Sequence, residues 1–327
     1  MLRWIQDEEI TMKAIVQDRY GGPEALEFAE IDRPPLGDRD ALVRVHAASI
    51  HFGDQMIMRG QPKLFRPIYG SGKPRNRVPG LDIAGTVEAV GTGVTRFGPG
   101  EEVFGTCTGA LAEYVSTPED KLERKPSNLT FEQAAAVPTS GLAALHGIRD
   151  AGKVQSGQKV LINGASGGVG TFAVQLAKAL GAEVTGVCST RNVELVRALG
   201  ADHVIDYTQE DFTQSGPRYD LILDNAGNHS LSKLRRALAP TGRLIPNSGS
   251  AGLGTFITAF VSSPFLRQQG RPYLSVPKLK DLTFLKELIE AGKVTPAIDR
   301  TYPLSDAADA FRYLGNGHAR GKVVITT

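Results

Sequence analysis

Between residues 12 and 133 the chain alternates apolar and polar positions in short runs. KAIVQ (13–17), ALVRVHAAS (41–49), IAGTVEAVG (83–91), EEVFG (101–105) and AEYVS (112–116) each carry the period of two that turns one face of a strand to a core. Gly and Pro separate them, and this spacing predicts a compact, mainly antiparallel, barrel-like domain. FEQAAAVPTSGLAALHGI (131–148) then reads as helix, which Pro138 can interrupt. From Lys159 onward the pattern changes again. The short apolar runs KVLIN, EVTGVC, HVIDY, YDLILDNAG and GRLIPN alternate with the amphipathic stretches TFAVQLAKALG, NVELVRALG and LSKLRRALAP. Gly181, Gly200 and Gly242 fall where helix ends or turns belong. Such alternation predicts an α/β domain, a doubly wound parallel sheet covered on both faces.

The tail from residue 279 reads as helix, strand, helix, strand. The expected organisation is therefore an extension at 1–11, one domain of 12–133 with 279–327, and a second of 134–278. The first eleven residues hold three acids and no apolar block, so no secretory signal is expected in them. The longest apolar run, GTFITAFVSSPFL (254–266), is shorter than the ~20 residues of a spanning helix.

Composition narrows the function classes. Hydrophobic residues at 41% and charged residues at 22% are ordinary for a globular protein. The 37 basic and 35 acidic residues spread along the chain without a long single-sign run, which argues against nucleic acid or a membrane as partner. Two cysteines, Cys107 and Cys188, are too few for a disulfide framework or a four-thiolate zinc site. A cytosolic location is the simplest expectation.

Candidate chemistry centres on VLINGASGGVG (160–170), where a strand meets a helix. Gly164, Gly167 and Gly170 recur every third residue, with Ala165 and Gly168 between. One glycine permits the bend, another lets backbone touch a pyrophosphate, and the last lets the helix pack close to the sheet. No Gly-Lys-Ser/Thr follows, so this is not a phosphate loop of the nucleotide triphosphatase type. At the end of the next strand an NAD site usually presents an acid to the ribose. Here that place holds Cys188, Ser189, Thr190 and Arg191, and a guanidinium suits a 2′-phosphate. The pattern therefore favours NADPH.

NGASGGVGTFAVQLAKALGAEVTGV, PGLDIAGTVEAVG, AAAVPTSGLAAL and the final RGKVVI together resemble the medium-chain dehydrogenase/reductase superfamily, and within it the zinc-free quinone oxidoreductase branch. The resemblance runs over nearly the whole chain from Met12. It implies a GroES-like catalytic domain, an inserted Rossmann domain, and an active site in the cleft between them. It further implies that Ser166, Gly167, Gly168, Val169 and Gly170 cradle the pyrophosphate, with Ser189 and Arg191 at the 2′-phosphate. Tyr207 would flank the adenosine phosphate and Thr139 would lie near the nicotinamide. Asn225 and Gly227 would line the cofactor groove, and Lys322 would sit close to the ligand cleft. Members often pair through sheet edges, so a homodimer is expected.

Zinc members of the superfamily bind metal through a Cys, a His-Glu pair and a second Cys. The matching places here hold Ser49, then Leu81 and Asp82, leaving only Cys107 and nearby His51. That set is too small for zinc, so no metal is expected. Without a Lewis acid, hydride transfer needs an acceptor that is already electron-poor, such as a quinone or an enone. The family's Ser-Ile-Asn-Pro pattern appears here as Ser49-Ile50-His51-Phe52, followed by Gly53 and Asp54. His51 is a candidate donor to the substrate oxygen, or alternatively a residue that only bonds backbone. Asp54 is expected to fix local structure. The basic, Pro/Gly-rich run 61–80 is a candidate lid or specificity loop, or surface decoration, and places Tyr69 as a second catalytic candidate. The leading expectation is an NADPH-dependent reductase of small electrophilic carbonyls or quinones. A non-catalytic NADPH-binding protein, crystallin-like or redox-sensing, is the alternative, and a zinc alcohol dehydrogenase is disfavoured.

Overall fold

The computed structural model describes residues 11–214, 216–248, 269–270, 273–317 and 319–327. The expected extension at 1–11, apart from Thr11, and the apolar run 254–266 lie outside them. The chain divides into two compact units.

One unit comprises residues up to Pro138, with Arg300–Gly317 and Val323–Thr327. Its main sheet runs in the order Ile298–Pro303, Lys322–Thr326, Asp40–Ile50, Asp82–Val90, Glu102–Thr106, Leu122–Arg124, with Tyr114–Pro118 also paired to Asp40–Ile50. The pairings around Asp40–Ile50, Asp82–Val90 and Glu102–Thr106 are antiparallel, as the alternation predicts. Ala41, Val43, Val45 and Ala47, every second residue of the long strand, are buried. Thr11–Val16 pairs antiparallel with Glu27–Asp32 in a separate two-stranded sheet.

The other unit, Thr139–Asp299 with His318–Lys322, is built on six parallel strands. Their spatial order is His203–Asp206, Glu183–Cys188, Lys159–Asn163, Tyr219–Asp224, Leu238–Pro246, Gln269–Gly270. Numbered along the chain this is 3-2-1-4-5-6, the doubly wound nucleotide-binding order. Its direction reverses between Lys159–Asn163 and Tyr219–Asp224, so a ligand crevice is expected at the carboxyl ends of those two strands. Val160, Leu161, Ile162, Ile222 and Leu223 are buried on both faces of the sheet. The helical run breaks where Pro138 was expected to interrupt it: one helix, Phe131–Ala135, ends just before it, and a second, Pro138–Leu145, starts from it. A π-helical stretch, His146–Ala151, follows directly.

The return to the first unit comes at Arg300, not at residue 279 as expected. The reason is a buried ionic anchor on the helix Leu279–Glu290. Asp281 accepts from Arg149 at 2.7 Å and lies 3.1 Å from His146 Nε2, while His146 Nδ1 lies 2.8 Å from Ser275 Oγ. Leu282, Leu285 and Ile289 are buried on the same helix. Burial pushes the Asp281 carboxyl up, but the hydrogen bonds from Arg149 and His146 outweigh it and hold the group below its ordinary range.

This anchor generates a pH-dependent prediction. A carboxyl depressed in the folded state contributes stability that is complete above its unfolded pKa of about 3.9 and is lost as pH falls through the folded value. Asp281→Asn should therefore destabilise the protein by about 2 kcal/mol or more at pH 7, with the gap to wild type closing below pH ~4. Thermal melts across that range read the outcome, and an equal gap at every pH would dismiss the ionic account.

Candidate active site

The glycine loop sits at the sheet's reversal point. Its first turn is made by Gly164, at φ +77. The helix Gly168–Ala179 then starts from Gly167, with no side chain capping its first amides. Those amides have no acceptor within the helix and make the helix start electropositive. A Cβ on Gly170 would lie 2.1 Å from the Gly164 carbonyl oxygen, so only glycine lets the helix start this close to the loop. Gly168 faces the Lys322 stem and Ser140: a Cβ there would be 3.4 Å from Lys322 Cδ and 3.5 Å from Ser140 Oγ. Gly321 N donates to Ser166 O at 2.9 Å, which brings the buried Lys322 beside the loop. Val169 is half-buried in the first helical turn, and Thr139 lies next to Ser140 at the start of the Pro138–Leu145 helix.

Asn225 and Gly227 follow the strand Tyr219–Asp224 on the other side of the reversal. Buried Asp224 shapes their turn, accepting from Asn163 Nδ2 at 2.8 Å and from Gly227 N at 3.0 Å. Asn225 Oδ1 accepts from Asn247 at 2.7 Å, while its Nδ2 is buried without a described partner.

Ser189 and Arg191 stand at the end of Glu183–Cys188, with Arg191 exposed in the short helix Thr190–Asn192. Tyr207 is 53% exposed, and its N–H donates to Cys188 O at 3.1 Å, next to Ser189. Two residues here escaped sequence reasoning. Asp206 comes from the neighbouring strand and accepts from Thr190 Oγ1 at 2.6 Å, so an acid does stand at this strand end. That hydrogen bond, with others from Thr208, holds its carboxyl below the usual range. Asn192 is buried, and its Nδ2 donates to Ser166 Oγ at 2.9 Å and to Ser189 Oγ at 3.2 Å, joining the glycine loop to the Ser189 turn. Its Oδ1 is buried with no described partner. An uncapped helix start, a cradle open only to glycine and these orphaned polar atoms all fit a dinucleotide.

In the other unit, His51 caps the helix Phe52–Met58. His51 N donates to Asp54 Oδ2 at 2.8 Å and Asp54 N donates to His51 Nδ1 at 3.3 Å, a reciprocal capping box. Because Nδ1 accepts, the neutral ring holds its proton on Nε2, which lies 3.4 Å from Asp54 Oδ2. The ring folds over Gly53, where a Cβ would come within 2.7 Å of it. Tyr69 ends the short helix Arg66–Tyr69, with its ring 6.4 Å from that of Phe65.

Ser49 donates to Asp82 at 3.3 Å, both fully buried on paired strands. Cys107 N donates to Leu81 O at 2.8 Å. Burial, with Asp82 and Asp54 nearby, pushes the Cys107 thiol well up. Among the described residues no three His, Cys, Asp or Glu side chains gather as a metal site.

Residues 37–127 match the family model of the alcohol dehydrogenase GroES-like domain, and residues 199–325 that of the zinc-binding dehydrogenase. A chloroplast envelope quinone oxidoreductase homologue of Arabidopsis thaliana is 32% identical over 96% of this chain and 98% of its own. The chain belongs to the medium-chain dehydrogenase/reductase superfamily, in its quinone oxidoreductase branch. A mitochondrial NAD(P)H oxidoreductase of Homo sapiens is 35% identical over 96% of this chain and 89% of its own. A chloroplastic NADPH-dependent alkenal/one oxidoreductase of Arabidopsis thaliana is 32% identical over 96% and 79%. Among solved structures, the quinone oxidoreductase of Coxiella burnetii superposes with a TM-score of 0.87 at 30% identity, covering 97% of this chain and 99% of its own. The Escherichia coli quinone oxidoreductase complexed with NADPH does so with a TM-score of 0.84 at 25% identity, covering 96% and 100%. This superfamily comprises NAD(P)-dependent oxidoreductases. The cytosolic expectation is overturned: these relatives are chloroplast and mitochondrial proteins. Balanced charge and the lack of a secretory pattern do not separate cytosol from organelle. One family model is that of a zinc-binding dehydrogenase, yet the ligand places here hold Ser49, Leu81, Asp82 and Cys107, and a hydroxyl and an aliphatic side chain in place of a thiolate and an imidazole do not fit zinc.

The glycine cradle makes one direct prediction. Gly170→Ala forces the helix away from the Gly164 carbonyl and should cost roughly 1–3 kcal/mol or more, with a matching fall in melting temperature. Gly98→Ala, where an added Cβ meets nothing within 4 Å, is the control and should melt like wild type. Equal melting temperatures for the two would mean that the close approach is not required.

Proposed function

We propose that this protein is an NADPH-dependent reductase of quinones and α,β-unsaturated carbonyls that works without a metal. The observation that carries this reading is a glycine loop and uncapped helix start that fit a dinucleotide, in a chain whose family zinc positions hold Ser49, Leu81 and Asp82. Lacking a Lewis acid to polarise an ordinary ketone or alcohol, such a site needs an acceptor that is electron-poor before it binds. Quinones and enones meet that need, and the quinone and alkenal/one names of the relatives support it. The non-catalytic alternative is not kept, since these relatives are named for catalysis.

NADPH, when bound, supplies the hydride. Ser166, Gly167, Gly168, Val169 and Gly170 would hold its pyrophosphate at the helix start, with Asn225 and Gly227 across the sheet's reversal. Thr139 and Lys322 would stand toward the nicotinamide. Ser189 and Arg191 would take the 2′-phosphate beside Tyr207. Thr190 already donates to Asp206, so it is not proposed as a phosphate ligand. Asn192 would position this set: by donating to both serine oxygens it leaves each hydroxyl proton free to point at a phosphate. His51, with Nε2 protonated and Asp54 holding the ring, would donate to the acceptor oxygen as negative charge develops there. Tyr69 has no described contact with His51 and is assigned no step. A homodimer joined through sheet edges completes the proposal, and sedimentation velocity tests it.

Arg191→Ala should weaken NADPH about tenfold or more and leave NADH nearly unchanged, as measured by fluorescence titration. Asn192→Leu should weaken both cofactors, because Ser166 serves the pyrophosphate they share. Equal losses of NADPH and NADH for Arg191→Ala would mean that Arg191 supports the fold instead.

Turnover, followed as loss of NADPH absorbance over a panel of quinones, enones and simple ketones, should appear with the first two classes and survive chelators. His51→Ala should lower it roughly 10²–10³-fold. His51→Asn restores both a helix cap and a neutral donor and should recover part of the rate. Full turnover in both variants would leave His51 as a helix cap alone, and turnover restricted to simple ketones would sink the substrate reading.

A further inference from the structure

The near-zero net charge of the whole chain hides a local excess. From Gln55 to Leu81 there are six basic residues, Arg59, Lys63, Arg66, Lys73, Arg75 and Arg77, and no Asp or Glu. Five of the six are exposed, and Arg66 is half-buried with its guanidinium over the Tyr20 ring. Arg77 forms a bidentate pair with Asp18 and is the only one of the six in a described ion pair. Asp18, Glu24 and Glu27 are the acids that face this cluster, Asp18 through Arg77 and Lys73, Glu24 through Arg59 and Glu27 through Arg77. Three acids against six bases still leave a positive excess.

In the middle of this run, two short helical turns, Lys63–Phe65 and Arg66–Tyr69, follow one another without a break. They expose Leu64 at 68%, Phe65 at 36% and Ile68 at 64%. Spacings of three and four residues put these three side chains on one face. An apolar face ringed by lysine and arginine is costly in water. It matches the boundary between acyl chains and anionic headgroups, where the apolar side chains leave water and the cations meet phosphates. Seven residues of helix rise only about 10 Å, so the segment can lie in the interface but not cross it.

We propose that residues 59–77 form a docking surface for a bilayer bearing anionic lipids, with Leu64, Phe65 and Ile68 entering the headgroup boundary and Arg59, Lys63, Lys73 and Arg75 holding the phosphates. The charge excess decides for a lipid surface over a second copy of this chain, because two copies would bring like charges together. The expectation of no membrane partner rested on the average charge, and the average conceals this segment. The proposal does not depend on which substrate the enzyme reduces.

The test is co-sedimentation of the full chain, without substrate, with vesicles of phosphatidylcholine alone or containing about one third phosphatidylglycerol. The protein should bind the anionic vesicles, leave the neutral ones, and be released as salt rises. Lys63→Ala/Lys73→Ala/Arg75→Ala should lose roughly a hundredfold in partition, at about fivefold per charge. Leu64→Glu/Ile68→Glu should lose at least tenfold while melting like wild type, since both side chains already face solvent. Failure to bind anionic vesicles, or binding that both variants retain, overturns the proposal. Self-association abolished by Leu64→Glu/Ile68→Glu, without vesicle binding, would instead assign the face to a second copy and overturn it equally.

Discussion

The contact on which the nucleotide-binding unit depends is the one made possible by the missing side chain of Gly170. With the Gly164 carbonyl 2.1 Å from where a Cβ would stand, the helix starts directly against the loop. The uncapped amides are thereby aimed into the crevice where the sheet reverses. The loop also takes hold of a distant part of the chain, since Ser166 O accepts from Gly321 N and Gly167 bridges to Gly321. Gly321 is in turn constrained, at φ +97 with the Ala297 carbonyl 2.2 Å from any Cβ. A steric requirement at one glycine thus propagates to a second, 151 positions later, and delivers Lys322 to the same place.

Much of the fold was legible because repeating patterns announce it. The period of two in ALVRVHAAS and the alternation of KVLIN, helix and EVTGVC identify a pleated surface and a parallel sheet without knowledge of partners. The glycine triplet was legible because its spacing is itself the steric requirement. Contacts between single polar residues far apart in sequence carry no such period. Asp206 reaches Thr190 across sixteen positions and His146 meets Asp281 across 135, so neither left a signal. Asn192 looks in the sequence like any residue at a helix start. The residue-279 boundary failed for the same reason: the helix pattern of 279–290 was clear, but not which unit would bury it. His51 was half legible, because four residues from His51 to Asp54 have the spacing of a capping box in which imidazole replaces the usual hydroxyl.

The Ser189 turn also shows how electrostatics can be partitioned locally. A carboxylate beside the place proposed for a 2′-phosphate would normally oppose it. Here Asp206 accepts from Thr190 Oγ1 and from both the N–H and hydroxyl of Thr208. Those donors spread its charge, while Arg191 stays exposed on the same short helix. The strand end thus holds an acid and a guanidinium together.

Both cysteines are buried, Cys107 to 8% and Cys188 to 2% exposure, and burial raises both thiols, Cys188 to about 11. Only the thiolate attacks carbon electrophiles readily. Quinones and enones are Michael acceptors that alkylate exposed thiolates, so an enzyme that gathers them risks modification by its own substrates. With both sulfurs covered and their thiols raised, neither is presented as a ready target for such an electrophile.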